Sequence, residues 1–162
     1  GMLLKIDVLH RALTHAKRNY RTLKQRIILL DPIGPIFTQK KARQLTKYEH
    51  LILICGHYEG IDNRIKHFID EKISVGRFIL TGGEIPAMTV TDAIVRLVPG
   101  VLNKKEAILA ESYSKGYDLE PPQYTRPAEF KGLFVPKVLL SGNHQQIEKW
   151  KKANTRLSVQ PN

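Results

Sequence analysis

Two glycine-rich stretches lie close together along this chain: residues 55–62 read CGHYEGID, and residues 74–84 read SVGRFILTGGE. Each contains or follows a short apolar run and leads into a helical pattern. Glycine after a strand lets the backbone approach a ligand, because no Cβ stands in the way. Two such turns at neighbouring strand ends would form a cradle of backbone N–H and C=O groups, where open α/β sheets bind ligands. The alternative is that both turns need glycine for their geometry alone.

The apolar pattern around these turns predicts alternating strands and helices. Strands are expected at 26–30, 51–54, 73–75 and 78–80, and helices at 5–18, 38–48, 61–71, 86–98 and 143–152. Because the strands are continuously apolar, they favour an open, mostly parallel sheet with helices on both faces. Residues 101–137 carry four prolines and are expected to form a long irregular connection.

Composition narrows the class of protein. A chain of 162 residues is large enough for one domain with its own core. It has no apolar stretch of membrane-spanning length and no signal-peptide pattern at its start, so no membrane partner is expected. The single cysteine cannot form an internal disulfide, which fits a cytoplasmic location.

Charge is unevenly distributed along the chain, whose net charge is +11. Residues 1–48 hold 11 Lys/Arg against 2 Asp/Glu, and residues 93–162 hold 11 against 6. Residues 49–92, which contain the glycine turns, hold 4 against 7. Basic flanks around an acidic centre favour a nucleic acid held by the flanks. The alternative is a solvated basic surface with no partner.

Few motifs point to chemistry by themselves. The chain has neither a Walker loop nor Gly-x-Gly-x-x-Gly, and no His/Cys pair at zinc spacing, so no metal site is predicted. Cys55 is expected to be a small buried side chain. Arg96 lies four residues after Asp92, a spacing that also suits an ordinary intrahelical ion pair worth about 0.3–0.5 kcal/mol. Glu111 lies in a weakly patterned region and reads equally well as solvated loop.

Several runs together resemble one family. They are residues 53–62, 74–89, 96–100, 124–127 (YTRP) and 139–144 (LLSGNH), and they occur in the family's order over nearly the whole chain. The chain is similar to the bacterial tRNA (guanine-N1)-methyltransferases, members of the SPOUT class of trefoil-knotted methyltransferases.

The resemblance implies a function and its partners. S-adenosylmethionine would be the methyl donor, and N1 of the guanine at tRNA position 37, beside the anticodon, would be the acceptor. The family also implies a C-terminal trefoil knot and an obligate homodimer with active sites between subunits. A magnesium requirement stays open. The alternative function is a truncated or degenerate module that binds S-adenosylmethionine or RNA without turnover.

The resemblance also implies site residues. In the catalytic pair, Glu111 would remove the N1 proton and Arg96 would stabilise charge on the guanine carbonyl oxygen. The donor pocket would use Pro32, Gly56, Tyr58, Glu59, Ser74, Val75, Gly76, Phe78, Leu80, Gly82, Gly83 and Pro86. Three positions depart from the family pattern: Glu111 replaces an aspartate, Phe78 a tyrosine, and Arg77 an acidic residue.

The same resemblance predicts the domain organisation. Residues 1–150 would form the S-adenosylmethionine-binding domain without the family's first strand, which would leave a neighbouring strand unpaired. Residues 151–162 would begin a linker to a tRNA-binding domain that this sequence does not contain.

Overall fold

A three-stranded parallel sheet organises the first part of the chain in the computed structural model, which describes residues 2–57, 59–102, 112–113 and 119–155. Strand β1 (Gln25–Leu30) pairs with β2 (His50–Cys55) on one side and with β3 (Glu71–Ile73) on the other. Leu30 is in register with both Cys55 and Ile73. The three strands therefore end at the same edge of the sheet, and the predicted parallel arrangement is confirmed.

The chain divides into two compact units, Gly1–Asn103 and Lys104–Asn162. The first holds the sheet with helices α1 (Ile6–Lys17), α2 (Gln39–Leu45) and α3 (Glu84–Val95), and short 3₁₀ helices at Arg18–Tyr20 and Asn63–His67. The described part of the second holds an antiparallel hairpin of β4 (Glu129–Phe130) and β5 (Leu133–Phe134), and helices α4 (Lys137–Leu140) and α5 (His144–Asn154). Among the described residues, no helix has the length and apolar character needed to cross a bilayer.

The core of the first unit lies between one face of the sheet and two helices. Its buried side chains come from the sheet (Ile28, Leu30 and Ile73), from α2 (Ala42 and Leu45) and from α3 (Val90 and Ile94). The alternate β1 side chains, Ile27 and Leu29, point to the opposite face and are buried too. A strand covered on both faces explains why residues 27–30 are continuously apolar.

Two predicted helix starts are confirmed by their capping hydrogen bonds. The Thr38 hydroxyl accepts from the Lys41 N–H at 3.2 Å, and the Asn143 side-chain oxygen accepts from the Gln146 N–H at 3.2 Å. Each cap satisfies one of the backbone donors that the first helical turn leaves unpaired. Helix α2 ends at Leu45, three residues before the predicted end at Tyr48.

The predicted helix over 61–71 is wrong, because hydrogen bonds hold Asp70 against β1 and β3 begins at Glu71. Only Asn63–His67 is helical, as a 3₁₀ turn. The Asp70 N–H donates to the Ile27 carbonyl oxygen at 2.9 Å, and the Asp70 carboxylate accepts from the Ile27 N–H at 2.7 Å. These two bonds tie the chain to β1 just before β3 begins.

The predicted strand over 78–80 is also wrong. Among the described residues no strand pairs with it, and strands need a neighbour to satisfy their backbone groups. Its side chains remain outside the core: Phe78 is 56% exposed and Ile79 84%. The prediction that residues 101–137 are irregular is wrong at one place, because this segment contains the β4–β5 hairpin.

Candidate functional site

A cavity of about 530 Å³ opens at the carboxyl edge of the parallel sheet. It lies within the first unit, where β1, β2 and β3 end side by side. Three segments form most of its wall: residues 29–33, 56–65 and 72–83. The two glycine-rich stretches therefore meet at one site, as the sequence predicts.

Close backbone contact explains two of the glycines near this edge. A Cβ on Gly83 would lie 2.6 Å from the Cys55 Cα, and a Cβ on Gly34 would lie 2.7 Å from the Ile73 backbone nitrogen. Real Cβ atoms do not approach backbone so closely, so both positions require glycine. The Gly83 N–H donates to the Gly56 carbonyl oxygen at 2.8 Å. This bond joins the two glycine turns and fixes the start of α3 against the end of β2.

A buried serine shapes the turn after β3. Ser74 is 4% exposed. Its hydroxyl donates to the Gly76 carbonyl oxygen at 2.9 Å and is 3.2 Å from the Gly76 nitrogen, whose N–H it accepts. The Phe78 ring lies over Gly76, where a Cβ would be only 2.2 Å from it. The turn therefore presents backbone and an aromatic ring to the cavity together.

Charged side chains lie at the cavity wall. Lys72 Nζ donates to Asp31 Oδ2 at 2.7 Å, and Asp31 Oδ1 accepts from the Ile33 N–H at 3.0 Å. Partial burial alone would raise the pKa of Asp31, but these two hydrogen bonds outweigh it and hold the pKa below its ordinary value. The pair keeps one carboxylate ionised beside the cavity.

A second polar contact lies where β2 meets α3. His57 Nε2 lies 3.8 Å from Glu84 Oε1. Burial, with a smaller contribution from the Glu84 charge, raises the pKa of the nearby Cys55 thiol. Cys55 is half-buried and packs against the core, so the thiol remains protonated at neutral pH.

The predicted site residues fall into three groups. All of the predicted donor residues except Tyr58 line the cavity, and Tyr58 lies outside the described residues. Arg96 caps the carboxyl end of α3, about 18 Å along the helix from Glu84 at its start. Glu111, the predicted base, also lies outside the described residues.

The sequence prediction did not include five polar residues of the cavity wall, namely Asp31, His57, Asn63, Lys72 and Thr81. Asp31 directly follows β1, so the rule that ligands bind at strand ends applies to it as much as to Gly56. Lys72 gave no such signal, because its position depends on the pairing of β3 with β1. Among the described residues no group of three His, Cys, Asp or Glu side chains is placed to hold a metal ion.

The fold is that of an α/β protein with a parallel sheet, and its cavity lies at the strand ends, the edge at which open α/β sheets bind ligands. Residues 1–161 match the family model described as "tRNA (Guanine-1)-methyltransferase TrmD". The chain belongs to that family.

Similar curated proteins are named tRNA (guanine-N(1)-)-methyltransferase. The one from Listeria monocytogenes is 50% identical over 152 residues, which cover 93% of this chain and 62% of that protein. The one from Metamycoplasma arthritidis is 52% identical over 152 residues, covering 94% and 64%. The one from Bacillus subtilis is 59% identical over 127 residues, covering 78% and 52%. The chain thus spans between about half and two thirds of the length of these relatives.

Proposed function

We propose that this chain carries the methyl-transfer domain of an enzyme that methylates N1 of the guanine at tRNA position 37, with S-adenosylmethionine as donor. The single observation that carries the proposal is the convergence of the family's glycine turns on one cavity at the sheet edge. The similar curated proteins, named for methylation of tRNA guanine N1, support the choice of reaction.

The cavity suits a nucleoside with an amino-acid tail. Its volume of about 530 Å³ lies within the range of about 300–1,000 Å³ that small-molecule sites occupy. Phe78 and Leu80 offer apolar walls to an adenine ring, and the Gly56 and Gly83 turns offer backbone close by. Asp31 and Glu59 bring carboxylates to the same wall, suited to hydroxyl or ammonium groups. When bound, S-adenosylmethionine supplies an electrophilic methyl group.

The chain's own residues must then activate the acceptor. Guanine N1 carries a proton at neutral pH and is a poor nucleophile, so a carboxylate has to accept that proton. Glu111 is the proposed base. Negative charge then develops on the guanine carbonyl oxygen, where the Arg96 guanidinium would stabilise it.

A homodimer is part of the proposal, because Arg96 and the cavity lie at opposite ends of α3 in one chain. In a homodimer, Arg96 of a second subunit could lie beside the cavity of the first. Helix α3 also carries an exposed apolar stripe: Ile85 is 62% exposed, Met88 71% and Val95 44%. These three residues recur at helical spacing on one side, as an interface requires. The trefoil knot, the cytoplasmic location and the division into residues 1–150 and 151–162 are also proposed, on family membership alone.

The oligomeric state is tested with Met88→Lys. In a twofold interface each substitution acts twice, so the variant should sediment as a monomer at concentrations where the wild-type chain is a dimer. Val8→Lys is the matched control, because Val8 is an exposed apolar residue of α1 (48%) away from the stripe. Identical masses for the two variants would contradict this interface.

The reaction is tested by donor binding and by turnover. Calorimetry should detect S-adenosylhomocysteine binding, and labelled donor should methylate a tRNA with guanine at position 37 but not one with adenine there. Glu111→Gln should lower kcat by about 10²–10⁴-fold, and Arg96→Ala by about 10²–10³-fold. Glu129→Gln, an exposed carboxylate of β4, serves as control. Binding of S-adenosylhomocysteine without methyl transfer to tRNA would favour a non-catalytic module. No binding of S-adenosylhomocysteine would contradict the proposal that the cavity holds the methyl donor.

A further inference from the structure

A second cavity, of about 760 Å³, lies within the described part of the second unit. Its wall combines the segment 121–128 with side chains of α4 and α5. The functional argument above uses none of these residues. The ones that matter here are Tyr124, Arg126, Trp150 and Lys151.

Two aromatic side chains form one corner of this cavity. The Tyr124 and Trp150 rings have centroids 6.3 Å apart and are inclined at 59°. A planar base therefore cannot stack between the two rings, but it can stack on one ring and contact the other. Tyr124 is 47% exposed, so its ring is open to a ligand from solvent. Trp150 is more buried and lies on α5, which packs against α4.

Positive charge borders the aromatic corner. Arg126 and Lys151 line the cavity, and no carboxylate does so among the described residues. Lys151 forms a 2.9 Å ion pair with Glu148, in which both side chains are about half exposed. Such an exposed pair is weak and exchanges readily for a phosphate. Residues 119–155 hold six Lys/Arg against three Glu, which favours a negatively charged partner.

We propose that this cavity is a stacking site for an unpaired nucleobase of RNA, with Tyr124 and Trp150 contacting the base and Arg126 and Lys151 contacting the adjoining phosphates. Aromatic rings beside cations are how proteins hold single-stranded nucleic acid, since every base offers a π-face. The assignment rests on the proposed function only in taking RNA as the partner. It requires neither the methyl donor nor turnover.

Trp150 reports directly on the site, because it is the only tryptophan in the chain. The full chain is titrated with an RNA hairpin whose loop is the size of an anticodon loop, while tryptophan emission and the anisotropy of the labelled hairpin are both followed. Emission should fall along the same binding curve as anisotropy. The same hairpin with abasic loop nucleotides should bind more weakly and leave emission unchanged, because the phosphates remain but the stacking rings are gone.

Matched variants separate stacking from general attraction. Tyr124→Ala should weaken hairpin binding about 5- to 150-fold, the range measured for loss of one stacked base. Phe130→Ala should leave it unchanged, because Phe130 is a similarly exposed aromatic (60%) outside the cavity wall. Lys151→Gln should weaken binding more than Lys149→Gln, although both remove one exposed charge from α5. Circular dichroism confirms that each variant is folded.

Three outcomes would overturn the assignment. One is hairpin binding with unchanged emission and an unaffected Tyr124→Ala variant. Another is an absence of hairpin binding. The third is an emission change that depends on protein concentration without RNA, which would assign the cavity to a second copy of the chain. Methyl transfer to whole tRNA is measured separately with the wild-type chain and with Tyr124→Ala. Activity of the wild-type chain in this assay would support the proposed function even if the stacking site is overturned.

Discussion

Gly83→Ala is expected to separate the start of α3 from the end of β2. The added Cβ would lie 2.6 Å from the Cys55 Cα and 2.9 Å from the Gly56 nitrogen. Carbon atoms pack at about 3.5–4.0 Å, so the helix start must retreat by about 1 Å. That movement stretches the 2.8 Å hydrogen bond from Gly83 to Gly56.

The loss of stability in Gly83→Ala follows from the steric contact and from the stretched hydrogen bond. Overpacking against rigid backbone costs about 1–3 kcal/mol. The weakened hydrogen bond adds about 1 kcal/mol. Urea denaturation should therefore show a free energy of unfolding lower by about 2–4 kcal/mol. Because the displaced turn also lines the cavity, S-adenosylhomocysteine should bind at least about tenfold more weakly, which is about 1.4 kcal/mol.

Gly56→Ala is the matched control for stability, since it adds the same methyl group on the other side of the same contact. Its Cβ would meet only the Ile61 side chain, at an ordinary 3.5 Å. Its free energy of unfolding should change by less than about 0.5 kcal/mol. Equal denaturation midpoints for the two variants would refute the argument from backbone contact.

Three further predictions concern stability and are read from urea denaturation. Thr38→Ala should cost about 1 kcal/mol through loss of the α2 cap, and Thr38→Ser should restore most of it, unless the bond to Lys41 contributes nothing. Ile28→Ala, at a fully buried position, should cost about 2–5 kcal/mol, and a loss below 1 kcal/mol would place Ile28 outside the core. Burial alone would raise the pKa of Glu71, but hydrogen bonds from Lys41 and Arg26 hold it below its ordinary value, so Glu71 stabilises the fold at neutral pH and loses its effect as pH falls through the folded-state pKa. Glu71→Gln should thus be less stable than wild type at pH 7, and the gap should close as pH falls through the folded-state pKa of Glu71; a gap that does not narrow in acid would contradict this assignment.

The elements that the sequence predicted well are those whose signal is local. The predicted strands at 26–30 and 51–54 centre on the apolar runs 27–30 and 51–54, and both fall inside observed strands. In α1, Leu13 is buried while Ile6 and Leu9 are partly buried, as the helical spacing predicts. These patterns predict the structure correctly because they depend on residues that are close together in the sequence.

Failures occurred where distant residues compete for the same segment. Residues 68–71 have a helical pattern, yet Asp70 is recruited by Ile27, 43 positions away along the chain. Residues 78–80 have the apolar content of a strand but no strand partner among the described residues. The hydrophobic periodicity of one segment cannot predict either outcome, because strand pairing depends on a second segment elsewhere in the chain.

Much of the candidate site could be predicted because glycine turns mark strand ends. The family resemblance supplied the donor residues, and all of those that the structure describes border one cavity. Their role in donor binding remains a prediction, as do the roles of Glu111 and Arg96. The Asp31–Lys72 pair escaped prediction because its two members lie 41 positions apart.

The sequence by itself determined the two buried strands β1 and β2, the longer helices and the helix caps at Thr38 and Asn143. Each is decided by interactions within a few residues, so a linear pattern contains it. The tertiary structure decided that Leu30, Cys55 and Ile73 end at one edge, and so that the turns following them enclose one cavity. It also decided that Arg96 lies a helix length away from that cavity. These are distances between segments far apart in the chain, and they are set by strand register and by the packing of α3 on β2.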